Sequence, residues 1–240
     1  MENQSATRGF RVRRLIKHFS NYWLNDASFL ALLCILIFTV FVLPVLIEYG
    51  HINMLFVNLV FIFLFFTGIW SSDNKFLIIL TTILFLCQLA LRILRFSELP
   101  YEFYLLERVF GLINMSVFIF LNFRLLFRDF EINLYRVIGA INVYLLLAIL
   151  GAFGFEIIQI VIGSSIEGVD ALNEESKFKI VDSDFSTYIY FSLVSLTTVG
   201  YGDVVPINIL SKMLATFLST IGILYPAVVI AKLVGSSPKR

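Results

Sequence analysis

Charged residues are scarce in this chain of 240 residues. Asp, Glu, Lys and Arg together make up 15% of it, whereas hydrophobic residues make up 59%. A soluble globular domain carries about 25% charged residues, so the composition excludes that class and indicates a membrane protein. The net charge is only +1, and it argues against a nucleic-acid partner.

Residues for metal binding or covalent chemistry are also few. The two cysteines, Cys34 and Cys87, stand in different apolar runs at different depths, so we expect no disulfide and interpret both as core residues. The two histidines, His18 and His51, are isolated in the sequence. No metal-ligand cluster, nucleophile with a neighbouring base or phosphate-binding loop occurs. We therefore expect neither an enzyme nor a cofactor.

Long apolar runs dominate what is present. A helix needs about 20 apolar residues to cross the hydrocarbon core of a bilayer. Six runs meet this length and predict transmembrane helices near residues 28–48, 52–70, 76–95, 103–127, 134–162 and 207–235. The first run lacks a small-residue cleavage site and five others follow it, so we expect it to remain in the mature protein.

Basic residues beside the apolar runs predict their orientation. Most lie at ends that would share the cytoplasmic side: Arg8, Arg11, Arg13, Arg14, Lys17, Lys75, Arg124, Arg128, Arg136, Lys239 and Arg240. We expect both termini in the cytoplasm and the protein in the plasma or inner membrane. The basic segment 1–27 has two open interpretations, a helix lying on anionic lipid or a positive tail that only fixes topology.

One polar connection and one short apolar segment follow the fifth run. Residues 163–184 carry six acidic and two basic residues, typical either of a solvated outer loop or of a loop that concentrates cations. Residues 185–196 are apolar, but twelve residues at about 1.5 Å each cannot cross the bilayer. We expect this segment to enter the membrane and return. The backbone after it must be buried in protein or line a water-filled path.

The returning backbone carries the sequence TTVGYGD, from Thr197 to Asp203. This motif resembles the selectivity filter of potassium channels. The resemblance is strong over residues 134–235 and only architectural before them. It implies an all-α membrane protein with six transmembrane helices, a re-entrant pore helix and a filter loop, assembled as a homotetramer.

The resemblance also divides the chain into a peripheral four-helix module and a pore domain. The boundaries that it implies are 28–130 for the module, 131–240 for the pore domain, 134–162 for the outer helix, 185–196 for the pore helix, 197–203 for the filter and 206–235 for the inner helix. The implied function is passive conduction of potassium.

The filter motif has a physical rationale of its own. Carbonyls that all point at one axis require a backbone with alternating conformations, some with φ > 0, which Gly200 and Gly202 adopt without a Cβ penalty. By the resemblance, the Thr198 hydroxyl and carbonyl form the innermost K⁺ site. Val199, Gly200, Tyr201 and Gly202 supply carbonyls further outward. The side chains of Val199 and Tyr201 are expected to point away from the axis.

Further residues are expected to support the filter. By the resemblance, Thr197 and Asp203 flank the coordinating residues, and Tyr190 and Phe191 brace the filter tyrosine. Tyr190 is placed to donate a hydrogen bond to Asp203; the alternative is that both aromatics are only interfacial. A carboxylate within a membrane span is costly, and the resemblance gives Glu156 a structural role, accepting from backbone at the outer end of the last helix.

The last apolar run contains a candidate hinge. Pro226 cannot donate to the carbonyl of Gly222, four residues earlier, and its ring crowds that carbonyl. Gly222 lies where the family has its hinge glycine, so we expect a bend there; close helix packing is the alternative. By helical spacing, the residues facing the cavity and the inner constriction are Ile223, Pro226, Ile230 and Val234.

A voltage sensor is not expected, because residues 109–123 contain no basic residue and sensors depend on several gating arginines. No cytoplasmic ligand-binding domain is expected after Arg240. The function predicted is therefore a potassium-selective channel that is not strongly voltage-gated. A non-conducting, channel-like regulatory subunit is the alternative.

Overall fold

The computed structural model describes six stretches of the chain. These stretches are residues 29–50, 54–70, 75–95, 101–128, 134–168 and 185–235. The predictions for the basic segment 1–27, for both histidines, for residues 169–184 of the acidic connection and for the end of the chain lie outside the described residues.

The described residues form an all-α membrane protein with one short strand pair. The helices are α1 (Phe29–Glu48), α2 (Met54–Trp70), α3 (Lys75–Arg95), α4 (Tyr101–Arg128), α5 (Leu134–Ile162), α6 (Phe185–Leu196) and α7 (Ile209–Gly235). The strands are β1 (Ile166–Glu167) and β2 (Val205–Pro206), which pair antiparallel.

The helices occupy the six predicted spans and the predicted short segment. By length and composition, four of those described can cross a membrane: α1, α4, α5 and α7. Helix α2 has 17 residues and helix α3 has 21. Helix α6 has twelve residues and reaches only part of the way.

Two expectations are corrected by the structure. Helix α7 begins at Ile209, not at residue 206, because Pro206 pairs in β2 and Asn208 caps the helix: its side-chain oxygen accepts from the Ser211 amide at 2.9 Å. Cys34 and Cys87 are exposed rather than core residues, and neither forms a disulfide. They lie on helix faces that the single chain leaves uncovered, where a small apolar thiol is compatible with lipid.

Helix α1 contains a π-helical turn at Phe38–Val42, immediately before Pro44. Pro44 has no amide hydrogen and its ring crowds the preceding turn. The wider turn absorbs this conflict because the amide of Leu43 reaches back five residues to the carbonyl of Phe38. The helix therefore continues through its proline to Glu48.

Helix α5 forms the centre of the packing, with α4 on one side and α6 and α7 on the other. Two glycines allow the close approach of α6 and α7. A Cβ on Gly151 would lie 2.3 Å from Ser192 Oγ on α6 and 2.6 Å from a Leu218 methyl on α7. A Cβ on Gly154 would lie 2.7 Å from a Leu214 methyl. Helices α5, α6 and α7 thus meet at a junction that excludes larger residues at Gly151 and Gly154.

We predict that Gly151→Ala destabilises the fold by roughly 1–3 kcal/mol per chain, because an added methyl overpacks this junction. It also displaces Ser192 Oγ, which donates to the Ala148 carbonyl at 2.6 Å. Gly139→Ala on the same helix is the control, since its Cβ would meet nothing nearer than 3.9 Å and alanine favours helix by about 1 kcal/mol. Melting temperatures in lipid nanodiscs measure the stability of both variants. Equal melting temperatures would contradict the close packing inferred at Gly151.

Candidate functional site

The TTVGYGD segment begins at the C-terminal end of α6. The Val199 amide donates to the Val194 carbonyl and the Thr198 amide to the Ser195 carbonyl, each at 3.1 Å. This pattern of six-to-one and five-to-two bonds is a Schellman motif, with Thr198 at the left-handed position that glycine usually takes. The helix terminus itself therefore turns the chain into the motif.

Thr198, Gly200 and Gly202 have φ angles of +59°, +59° and +81°. Positive φ at every second residue is the alternation that an axis-facing row of carbonyls requires, and the sequence predicted it for the two glycines. It was not predicted for Thr198, because a non-glycine residue in this region costs roughly 1–2 kcal/mol. The Schellman motif accounts for that strained position.

The other motif side chains also have defined places. The Thr197 amide and hydroxyl both donate to the Leu193 carbonyl, at 2.8 and 2.7 Å, so its side chain caps α6. Val199 is 51% exposed and Tyr201 72% exposed in the single chain. The surface that would cover these two side chains is therefore not supplied by the described residues of the same chain.

A hydrogen bond anchors the far end of the motif. The Tyr190 hydroxyl donates to Asp203 Oδ2 at 2.5 Å, the contact expected from the sequence, and Asp203 Oδ1 accepts from the Val204 amide at 3.0 Å. The bond from Tyr190 lowers the pKa of the Asp203 carboxyl below its ordinary value. Asp203 is thereby held as a carboxylate that ties the end of the motif back to α6.

A short strand pair joins the chain before α6 to the chain after the motif. Strand β1 follows α5 and strand β2 follows the motif, so their pairing brings the two flanks together. Gly168 has φ +108°, and a Cβ there would lie 2.4 Å from the Asp203 carbonyl oxygen. The sequence predicted neither the strand pair nor the close approach of Gly168 to Asp203, because a two-residue strand has no detectable periodicity.

Phe191 contacts a different neighbour from the one expected. It is 5% exposed, and its ring packs edge-on against Phe155 of α5 with centroids 4.8 Å apart. Phe191 thus holds α6 against α5; its support of Tyr201 stays a prediction. The contact with Phe155 follows from the orientation of Phe191 on α6: Tyr190 faces the motif, so its sequence neighbour is turned toward α5.

Glu156 forms an ion pair that the sequence did not predict. Its Oε1 lies 3.0 Å from Arg108 Nε of α4, and the two side chains are 2% and 5% exposed. The Arg108 guanidinium also lies over the Phe153 ring, 5.6 Å from its centroid. Through this pair Glu156 joins α4 to α5; its expected contact with backbone at the outer end of α7 stays a prediction.

Gly222 is a site of close packing in this structure. A Cβ there would lie 1.6 Å from the carbonyl oxygen of Leu196, the last residue of α6. Helix α7 continues without interruption through Gly222 and Pro226. The packing alternative is therefore favoured over the hinge. Gly222 is also not distant from the motif, since Leu196 directly precedes Thr197.

The predicted cavity-facing side chains of α7 lie on an uncovered face. Ile223, Ile230 and Val234 are 62%, 60% and 71% exposed, and Pro226 is partly exposed. Among the described residues, 17% of the apolar window of α7 is buried, against 56% for α5. Helix α7 therefore has a large exposed apolar surface that further protein or lipid can cover.

Comparison with known proteins agrees with this site. Residues 143–235 match a protein family described as ion channel. The match covers α5 from its third turn onward, α6, the TTVGYGD segment and all of α7. The strained turn and the half-length helix therefore lie within the residues that match this family, and α1 to α4 lie outside them.

Two curated relatives are potassium channels by name. The chain is 37% identical over 71 residues to Potassium channel K2 of Plasmodium falciparum (isolate 3D7), which is 24% of this chain and 5% of that protein. It is 35% identical over 54 residues to Potassium channel K2 of Plasmodium berghei (strain Anka), which is 22% of this chain and 4% of that protein. The chain thus spans a small part of each relative. No solved structure matches.

We predict that Tyr190→Phe raises the pKa of Asp203 toward its ordinary value, because the variant lacks the donor that stabilises the carboxylate. That hydrogen bond stabilises the fold above the pKa and is lost as pH falls through it. A ¹³C NMR titration of labelled aspartate carboxyls, assigned with Asp203→Asn, measures the midpoint. Tyr225→Phe, whose hydroxyl donates to the Ala140 carbonyl instead, should leave the midpoint unchanged. An unaltered midpoint in Tyr190→Phe would refute the role of this bond.

We predict that Glu156→Gln lowers stability by roughly 3–5 kcal/mol per chain, because it breaks a buried ion pair and leaves the Arg108 charge inside the protein. Arg108→Met with Glu156→Gln should recover most of the loss, since both charges are then absent. Thermal unfolding of the two single variants and the double variant forms the cycle. A stable Glu156→Gln protein with altered ion selectivity would instead support the contact with backbone expected from the resemblance.

Proposed function

We propose that the chain is a subunit of a potassium-selective channel that conducts K⁺ passively. The observation that carries this proposal is the alternation of positive φ at Thr198, Gly200 and Gly202, directly after a helix too short to span the membrane. In this arrangement the carbonyls from Thr198 to Tyr201 replace the water around K⁺. The potassium-channel names of the two relatives point to the same ion.

Tetrameric assembly is part of the proposal. One chain provides one row of carbonyls, and a ring around an ion needs several. The uncovered apolar face of α7 and the exposed side chains of Val199 and Tyr201 are the surfaces that identical neighbours around a symmetry axis would cover. In that assembly Ile223, Ile230 and Val234 line the cavity or the subunit contacts.

We infer weak voltage dependence from the environment of Arg108, which is buried in α4. Arg108 is paired with Glu156, and residues 109–123 supply no further basic side chain. Moving Arg108 through the membrane field would require separating a buried ion pair, which costs several kcal/mol, against about 2.3 kcal/mol per charge for 100 mV. The pair therefore makes the four-helix module a fixed scaffold.

The proposal predicts a potassium-selective current from the purified protein in liposomes. Under a K⁺/Na⁺ bi-ionic gradient the reversal potential should lie far from zero, and open probability should vary weakly with voltage. Gly200→Ala should abolish the current, because alanine at φ +59° costs roughly 1–2 kcal/mol in each of four copies.

Gly50→Ala is the matched control. Gly50 has φ +65°. A Cβ on Gly50 or on Gly200 would have no atom of the same chain within 4 Å. Gly50, however, follows α1 and lies outside residues 143–235, which match the ion-channel family. It should leave selectivity unchanged. A reversal potential near zero would refute selectivity. A folded oligomer without current at any voltage would favour the non-conducting regulatory subunit.

A further inference from the structure

The last carbonyls of α6 are the groups that need partners most, because the final four carbonyls of a helix have none within it. The TTVGYGD segment supplies donors for three of them. Leu193 accepts from Thr197, Val194 from Val199, and Ser195 from Thr198. The carbonyl of Leu196, the residue directly before the motif, receives its hydrogen bond from elsewhere.

That donor is the Tyr144 hydroxyl of α5, at 3.3 Å from the Leu196 oxygen. Helix α7 approaches the same oxygen from another direction through Gly222, where a Cβ would overlap it at 1.6 Å. One turn earlier on α7, Ser219 donates to the Ser195 carbonyl at 2.8 Å. The end of α6 is thus bonded to α5 and α7 at two consecutive carbonyls.

The contacts of Tyr144 extend down α7. Its ring lies 6.3 Å from the ring of Tyr225, with an interplanar angle of 32°. Tyr225 is buried and donates its own hydroxyl to the Ala140 carbonyl at 2.9 Å, one turn from Tyr144 on α5. Tyr225 also directly precedes Pro226, so the part of α7 with the weakened helix bond is in contact with the residue that bonds Leu196.

We propose that Tyr144 and Ser219 are positioning residues that set the innermost end of the selectivity filter through the carbonyls of Leu196 and Ser195, and that they couple α7 to it. This inference rests on the proposed function and adds residues outside the motif to it. Displacement of α7 near Pro226 then changes the hydrogen bonds that hold the turn at Thr198. Conduction is controlled at the filter, with α7 acting on it through these contacts.

Tyr144→Phe tests the inference with the smallest change, because it removes one hydroxyl and keeps the ring against Tyr225. The K⁺/Na⁺ permeability ratio should fall by about 2- to 10-fold, the factor that one hydrogen bond supports. Ser219→Ala should act in the same direction, and the double variant should exceed either. Ser116→Ala is the control: it removes one hydroxyl, which donates only to the Leu112 carbonyl within α4, and its ratio should equal that of the wild type.

A second measurement does not depend on current. K⁺ bound in the filter stabilises the folded oligomer by mass action, so the K⁺ concentration that gives half of the rise in melting temperature should increase in Tyr144→Phe and Ser219→Ala but not in Ser116→Ala. Wild-type values in both folded variants, with a selective wild type, would overturn the inference and leave the proposed function standing. A wild type with neither selective current nor K⁺-dependent stabilisation would overturn the proposed function and the inference together.

Discussion

The rest of the structure depends on a helix that stops inside the membrane. Lipid offers no donors to the carbonyls at the end of α6, so every donor must come from protein. The returning chain supplies several by turning through Thr198, and Tyr144 and Ser219 supply others from the flanking helices. Helices α5 and α7 must therefore approach α6 closely, which explains small residues at Gly151 and Gly222. The site and its scaffold follow from the same requirement.

The peripheral helices are attached to this assembly by polar contacts as well as apolar ones. Arg108 and Glu156 join α4 to α5 in a buried pair, and Asn114 of α4 donates to Gln88 of α3 at 3.3 Å. Polar bonds between helices in lipid are worth about 0.6 kcal/mol on average, but they select one register, because a shifted helix would bury the same groups without partners. Helices α3 and α4 thus have a defined position against α5, although the family match does not reach them.

Sequence alone predicted the features that depend on local chemistry. The lengths of the apolar runs and the residues that bound them predicted the observed bounds of α5 and α6. The two glycines of TTVGYGD indicated positive φ at alternate residues. The bond from Tyr190 to Asp203 was foreseeable because α6 is short and the motif returns beside it. Contacts between distant helices were not: Tyr144 precedes Leu196 by 52 residues, and nothing in either residue specifies the other. For the same reason the sequence alone does not decide between a hinge and close packing at Gly222, since the decisive contact is with Leu196.

The antiparallel pair of β1 and β2 has a consequence for how this protein can vary. The pair joins Ile166 to Pro206 and Glu167 to Val205, so the acidic connection, α6 and the TTVGYGD segment all lie within one loop closed at its neck. Closure entropy grows only slowly with loop length. Additions to the acidic connection therefore cost little stability, and the neck isolates α5 and α7 from them. The sequence and length of this connection can therefore change while the packing of α5 against α7 is kept.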